Sequence, residues 1–162
     1  MEEDLFLRKR ALALWQEGQR VQLDGDVAGA IAYYGQSIAV FPTAEAHTFL
    51  GWAYSFQDRL DDAIVECKRA IEIDPAFGNP YNDIGSYLIA QGKTREAMKW
   101  LEKAKRAPRY ESRHYPYINL GRLFASRGMV ARAIREFEVA LSLAPEEPGV
   151  AGALSALKQR IN

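Results

Sequence analysis

Catalysis or metal binding in this 162-residue chain would have to be built from two histidines, one cysteine and a short run of acids. His47 and His114 each open an apolar-periodic segment, and neither has a Cys, Asp or Glu at the spacing of a metal ligand set. A lone histidine lacks the convergent partners that a site requires. Asp58, Asp61 and Asp62 cluster at a turn and the start of a helical pattern. There carboxylates serve as caps and meet the helix dipole without any metal. Cys67 has no partner for an intramolecular disulfide and sits at packed-face spacing, so it reads as a small hydrophobe in a reducing compartment. There is no glycine-rich phosphate loop, no G-x-S-x-G and no paired-carboxylate motif. The expectation is a non-enzyme without cofactor or metal, and the chemistry left to it is recognition.

The elements that would position a recognition surface are helix hairpins. From Thr43 to Pro75, Leu50, Gly51 and Tyr54 share one face of a first helix, and Ala63, Cys67 and Ala70 share one face of a second. Gln57-Asp58-Arg59 is the turn between them, and Asp74-Pro75 stops the second helix because proline disfavours a helical residue before it. Gly51 and Ala63 are small where two helices must approach closely.

The pattern recurs. Leu7, Ala11, Leu14, Gly18 and Val21 predict a helix over about residues 3–23. A turn at Asp24-Gly25-Asp26 follows, then a helix through Ala30 and Tyr34 that ends at Phe41-Pro42. A third copy reads Tyr81, Ile84-Gly85, Leu88, a turn at Gly92, then Ala97, Leu101, Ala104 and Pro108. A fourth reads Tyr117, Leu120-Gly121, Phe124, Gly128, then Ala133, Phe137, Ala140 and Pro145. The corresponding glycines, 18, 51, 85 and 121, are 33, 34 and 36 residues apart. The extra length before Gly121 falls in Ala107–His114, where it would lengthen a loop or helix end. Glu146, Glu147 and Pro148 suit the start of a last helix, whose stripe is Val150, Leu154, Leu157 and Ile161 and whose end carries Lys158 and Arg160.

The spacing resembles the tetratricopeptide repeat, W-x2-L-G-x2-Y, then A-x3-F, then P, with a period of about 34 residues. The second copy shows it as His47-x2-Leu50-Gly51-x2-Tyr54, Ala63-x3-Cys67 and Pro75. His47 and Cys67 stand where the motif has large aromatics, so His47 is expected to fill the first aromatic's slot. In the first copy Glu17 stands where leucine is expected. The resemblance implies an all-α, right-handed superhelical α-solenoid of about nine helices. One domain over 1–162 would divide into repeats at about 3–42, 43–76, 77–109 and 113–145, with a capping helix at about 146–162. First helices would line a concave face and second helices the convex back.

The resemblance also implies which positions face the groove: Thr48, Trp52 and Phe56 in the second repeat, Asn79, Asn82 and Ser86 in the third, Tyr115, Ile118 and Arg122 in the fourth. Trp52 and Phe56 are one helical turn apart and outside the packing motif, which suits an anchor pocket for a peptide or helix of a partner protein. The alternative occupant is a terminal helix of a neighbouring copy, which would make the protein a self-assembling unit and a homo-oligomer. Chaperone-binding members hold a C-terminal carboxylate with a Lys/Asn/Asn/Lys/Arg clamp. The matching positions here are Trp15, Gln19, Phe49, Asn82 and Ser86, which argues against a heat-shock co-chaperone. The short array and the extended loop also resemble small bacterial tetratricopeptide proteins, including pilus-assembly factors.

Charge sums to zero, with 21 basic and 21 acidic residues, which argues against wholesale binding to nucleic acid. The segment Lys93–His114 nonetheless holds eight bases against three acids. Lys99, Lys103, Lys105, Arg106 and Arg109 are expected on the convex back and adjoining loop, either solvated or meeting an acidic protein surface. No aromatic or recognition-helix arrangement for nucleic acid accompanies them. No apolar run approaches the roughly 20 residues of a membrane span, and the charged start MEEDLFLRKR does not read as a secretion signal, so the expected location is cytoplasmic.

Overall fold

The structure, a computed structural model, describes residues 1–161. Among them are nine helices: α1 (Glu2–Leu23), α2 (Val27–Val40), α3 (Ala44–Phe56), α4 (Leu60–Ile73), α5 (Asn79–Ala90), α6 (Thr94–Arg106), α7 (His114–Ser126), α8 (Val130–Leu143) and α9 (Val150–Arg160). Consecutive helices pair as hairpins, α1 with α2 through α7 with α8, and each hairpin stacks on the next. The contacts α1–α3, α3–α5 and α5–α7 assemble the odd-numbered helices into an inner layer, leaving the even-numbered helices outside. The result is the right-handed α-solenoid that the repeat spacing implies.

The motif glycines explain why the hairpins close. A Cβ on Gly51 would stand 2.8 Å from the Ala63 carbonyl oxygen and 3.3 Å from Cys67 Sγ, so α3 and α4 touch backbone to backbone there. Gly18, Gly85 and Gly121 leave room instead for the side chains of Tyr34, Leu101 and Phe137 on the facing helix. Around these contacts the buried Ala, Leu and aromatic side chains form successive core clusters, with the partly buried Tyr54 and Ile89 packed against neighbouring ones. At one end, Val150, Leu154 and Leu157 of α9 join the cluster of Phe137 and Ala140.

Several local expectations are corrected. α4 starts at Leu60 after Arg59, with no side-chain cap, and Asp58 adopts the left-handed conformation (φ 58°) rather than capping. Asp61 and Asp62 do lie in the first turn, but they bond sideways: Asp61 accepts from Gln91 Nε2 at 2.7 Å and Asp62 from Arg59 Nε at 2.9 Å. α9 starts only at Val150 behind a left-handed Gly149, so Glu146, Glu147 and Pro148 belong to the preceding turn. Ile161 lies beyond α9 and is exposed, not part of its buried stripe.

Residues 107–113 do more than lengthen a loop. Gly78 N–H donates to the Arg109 carbonyl and Arg109 N–H donates to the Ala76 carbonyl, each at 2.9 Å, so two interhelix loops are bonded side by side. Tyr110 is buried against Gly78, where a Cβ would come within 2.4 Å of its ring. The Arg109 guanidinium reaches Asp74 at 2.6 Å and Glu45 at 3.1 Å and lies 4.3 Å over the Phe77 ring. Arg113 donates to the carbonyls of Lys105 and Ala107, which holds the loop's return to α7.

Candidate functional site

Four aromatic side chains run edge to face along the inner layer. Trp15 meets Phe49 at 5.3 Å between ring centroids, Phe49 meets Trp52 at 5.7 Å, and Trp52 meets Phe56 at 5.3 Å. Such T-shaped contacts suit the ring quadrupoles. Trp15 and Phe49 pack into the first core cluster, so the run is anchored at one end. At the other end Trp52 is half-buried and Phe56 is 61 % exposed.

Two clefts open beside this end of the run. One, of about 370 Å³, is lined by Thr48, Phe49, Trp52, Asn79, Asp83 and Tyr115. The other, of about 330 Å³, is lined by Trp52, Ser55, Phe56, Asn82, Asp83, Ser86 and Tyr87. They share Trp52 and Asp83. The structure thus brings together Thr48, Trp52, Phe56, Asn79, Asn82, Ser86 and Tyr115 from three successive hairpins. Arg122 is exposed and lines neither cleft.

Three of these residues offer less than repeat counting implies. Thr48 is 2 % exposed and donates its hydroxyl to the Ala44 carbonyl at 2.7 Å, so it contributes a wall and no free donor. Asn82 is 7 % exposed, and its Oδ1 accepts from Asn119 Nδ2 at 3.0 Å, which ties α5 to α7. Ile118 is buried in the core with Leu120 and Phe124 and is not a groove residue. These positions lie where neighbouring inner helices touch each other, and solvent loses them to that contact.

Asp83 is the residue that sequence reasoning missed. Its carboxyl is pushed up to about 7 by burial, with a hydrogen bond from Asn82 opposing the shift. No lysine or arginine lines either cleft. The neighbouring Tyr87 and Tyr110 hydroxyls and the Cys67 thiol are also raised, chiefly by burial, so they stay neutral near physiological pH. An aspartate directly before the packing pair Ile84-Gly85 was the available signal: an acid at the margin of a core face needs a reason.

Both histidines, read as partnerless, have carboxylates that the fold supplies. His47 fills the buried slot, and its Nδ1 stands 2.6 Å from Glu66 Oε2 on the facing helix. His114 Nε2 is 3.2 Å from Glu147 Oε2. These partners are 19 and 33 residues away in sequence, beyond any local ligand spacing. Among the described residues no group of three His, Cys, Asp or Glu could hold a metal ion.

The basic segment divides. Lys105 is largely buried, paired with Glu136 at 2.8 Å and Glu102 at 3.0 Å, and its Nζ lies 4.4 Å over the Tyr117 ring. Arg109 serves the loop contact described above. Neither is a free convex contact, because each charge is already met inside the chain. Lys99, Lys103 and Arg106 are exposed. Lys103 and Arg106 border an outer cleft of about 360 Å³ with Trp100, Tyr81, Ile71 and Pro75.

Family models for the tetratricopeptide repeat match residues 24–76 and 81–107. The small glutamine-rich tetratricopeptide repeat-containing protein 2 of Mycosarcoma maydis is 33 % identical over 104 residues, 63 % of this chain. This chain spans 28 % of that relative's length. The structure of pilF from Pseudomonas aeruginosa superposes with a TM-score of 0.85 at 26 % identity, covering 95 % of this chain and 71 % of that one. The first such domain of Spaghetti (RPAP3), bound to the HSP90 peptide SRMEEVD, superposes with a TM-score of 0.64 at 19 % identity, covering 73 % and 92 %. No helix among the described residues is long and apolar enough to cross a membrane.

Proposed function

The chain belongs to the tetratricopeptide repeat family, and from that premise we propose that it is a binding module whose inner face holds an extended segment or helix of a partner protein. One observation carries the reading: Trp52 and Phe56 project large aromatic surface beside two clefts, although the stacking of hairpins needs neither of them. Large rigid aromatics at a concave surface are the residues that anchor protein interfaces. The rest of the aromatic run fixes Trp52 in place before a ligand arrives, and hairpin packing fixes the clefts. The ordering cost of binding then falls mainly on the ligand. No catalytic step enters this function.

The related fold of Spaghetti (RPAP3) holds an acidic chaperone peptide. The positions that would clamp such a peptide's carboxylate here are Trp15, Gln19, Phe49, Asn82 and Ser86, which supply no cation. Asp83 would repel an acidic ligand in addition. The ligand of this groove is accordingly of a different kind.

The test is a panning of displayed peptides on the wild-type chain and on the Trp52→Ala/Phe56→Ala double variant. Peptides captured by the wild type and lost by the variant, with the variant's helical circular dichroism and cooperative melting retained, support the groove. Equal capture by both would remove it.

A further inference from the structure

Resting on the groove reading above, we propose that the cleft between Trp52 and Tyr115 takes a lysine or arginine side chain of the bound segment, with Asp83 as its counter-ion. Three observations converge on a cation. Asp83 is the one acid that lines both clefts, so any segment crossing from one cleft to the other passes it. The walls beside it are aromatic: Trp52, Phe49 and Tyr115 in the larger cleft, Trp52, Phe56 and Tyr87 in the other. Ring faces attract ammonium and guanidinium groups, most strongly where water is thinned out. Finally, among the described residues no lysine or arginine of the chain lines either cleft, and the paired cations meet other groups: Arg59 lies over Tyr54 at 4.1 Å, and Arg109 and Lys105 are held in the ion pairs described above.

A half-buried carboxylate without a basic neighbour carries a desolvation cost in the free protein, which its raised proton affinity reports. A ligand cation offsets that cost, and its attraction is stronger in a partly water-excluded cleft than at an open surface. The apolar stem of lysine or arginine would lie along Trp52 while the charged head meets the carboxylate. A neutral ligand gains the aromatic contacts but leaves Asp83 unanswered. The selection for a basic residue follows from that difference.

The experiment takes the tightest peptide from the panning and measures its dissociation constant by fluorescence anisotropy. A second peptide has each lysine or arginine replaced by norleucine. Both are titrated against wild type, Asp83→Asn, Asp83→Glu and Trp52→Ala/Phe56→Ala. The expectation is a basic residue in the selected peptide, affinity lower by about tenfold on either norleucine substitution or Asp83→Asn, and little further loss when the two are combined. Asp83→Glu, which keeps the charge, retains binding within a few-fold. Peptides that need Trp52 and Phe56 yet carry no basic residue, or bind Asp83→Asn as tightly as wild type, overturn the cation site and leave the groove standing. A panning with no Trp52/Phe56-dependent peptide overturns both. A concentration-dependent dimer that excludes the peptide overturns a partner segment as the occupant.

Discussion

Glu66 Oε2 on α4 and His47 Nδ1 on α3 lie 2.6 Å apart inside the second hairpin, and Arg69 reaches the other oxygen of the same carboxylate at 2.5 Å. Both His47 and Glu66 are less than a tenth exposed. A buried pair of this kind is costly to break and cheap to replace whole. Glu66→Ala is expected to destabilise the chain by about 3 kcal/mol, because it strands a buried imidazole. His47→Phe combined with Glu66→Leu, which restores an aromatic to the slot, is expected to fall within about 1 kcal/mol of wild type. Urea unfolding of the two variants decides it; equal losses would mean that packing, not pairing, governs the site.

Gly51 and Gly35 should respond in opposite directions to the same substitution. At Gly51 an added methyl meets the Ala63 carbonyl, which is backbone and cannot turn aside, so Gly51→Ala should cost about 1–3 kcal/mol. Gly35 lies within α2 and a Cβ there meets nothing, so Gly35→Ala should stabilise by about 0.4–1 kcal/mol through the lost flexibility of the unfolded chain. Chemical denaturation midpoints check both signs.

Asp83→Asn should raise the melting temperature at neutral to mildly alkaline pH, independently of any ligand. The folded carboxyl titrates at about 7, above its unfolded value near 4, so folding is penalised increasingly as pH rises between those values. The gain should be at least about 1 kcal/mol, or roughly 2–4 °C, near pH 8, and should vanish near pH 4. A gain that persists undiminished in acid would assign it to packing instead.

Arg109→Ala is expected to have the reverse pH dependence. The Arg109 guanidinium, by hydrogen bonding to Asp74, holds that carboxyl below its ordinary range. Stability from a lowered acid is fully present above the unfolded pKa and is lost as pH falls through the folded one. Wild type should therefore exceed Arg109→Ala by about 0.5–1 kcal/mol at neutral pH, and the electrostatic part of that gap should close below about pH 4. Parallel melting curves across pH would show no such ion-pair contribution.

The solenoid was legible because each hairpin repeats the same small-residue contact, and Gly18, Gly51, Gly85 and Gly121 announce it at nearly constant spacing. What escaped reading depends on distances between repeats. Glu66 becomes the partner of His47 only when α4 folds back on α3, and Glu147 reaches His114 only across the last hairpin. Ile118 and Thr48 carry groove-position numbers, yet contact between inner helices covers them, since a repeat position fixes a direction from the helix and not its neighbour. Asp83 was hidden because it directly precedes the packing pair Ile84-Gly85, which carries the repeat signal. The basic run between Lys93 and His114 looked uniform, but the fold spends Lys105 and Arg109 internally and leaves Lys99, Lys103 and Arg106 outside.

The bonded loops at 76–78 and 107–113 give the array an uneven mechanics. A solenoid bends like a coil spring, each turn yielding slightly against the next, because each repeat touches only its neighbours. Here the Arg109 rivet and the two backbone bonds tie the loop between the second and third hairpins to the loop between the third and fourth, bracing the three hairpins from which the walls of the clefts are built. Flexing under load is thereby shifted away from the clefts and toward the ends of the coil, so that tension on a tethered ligand would distort its seat last.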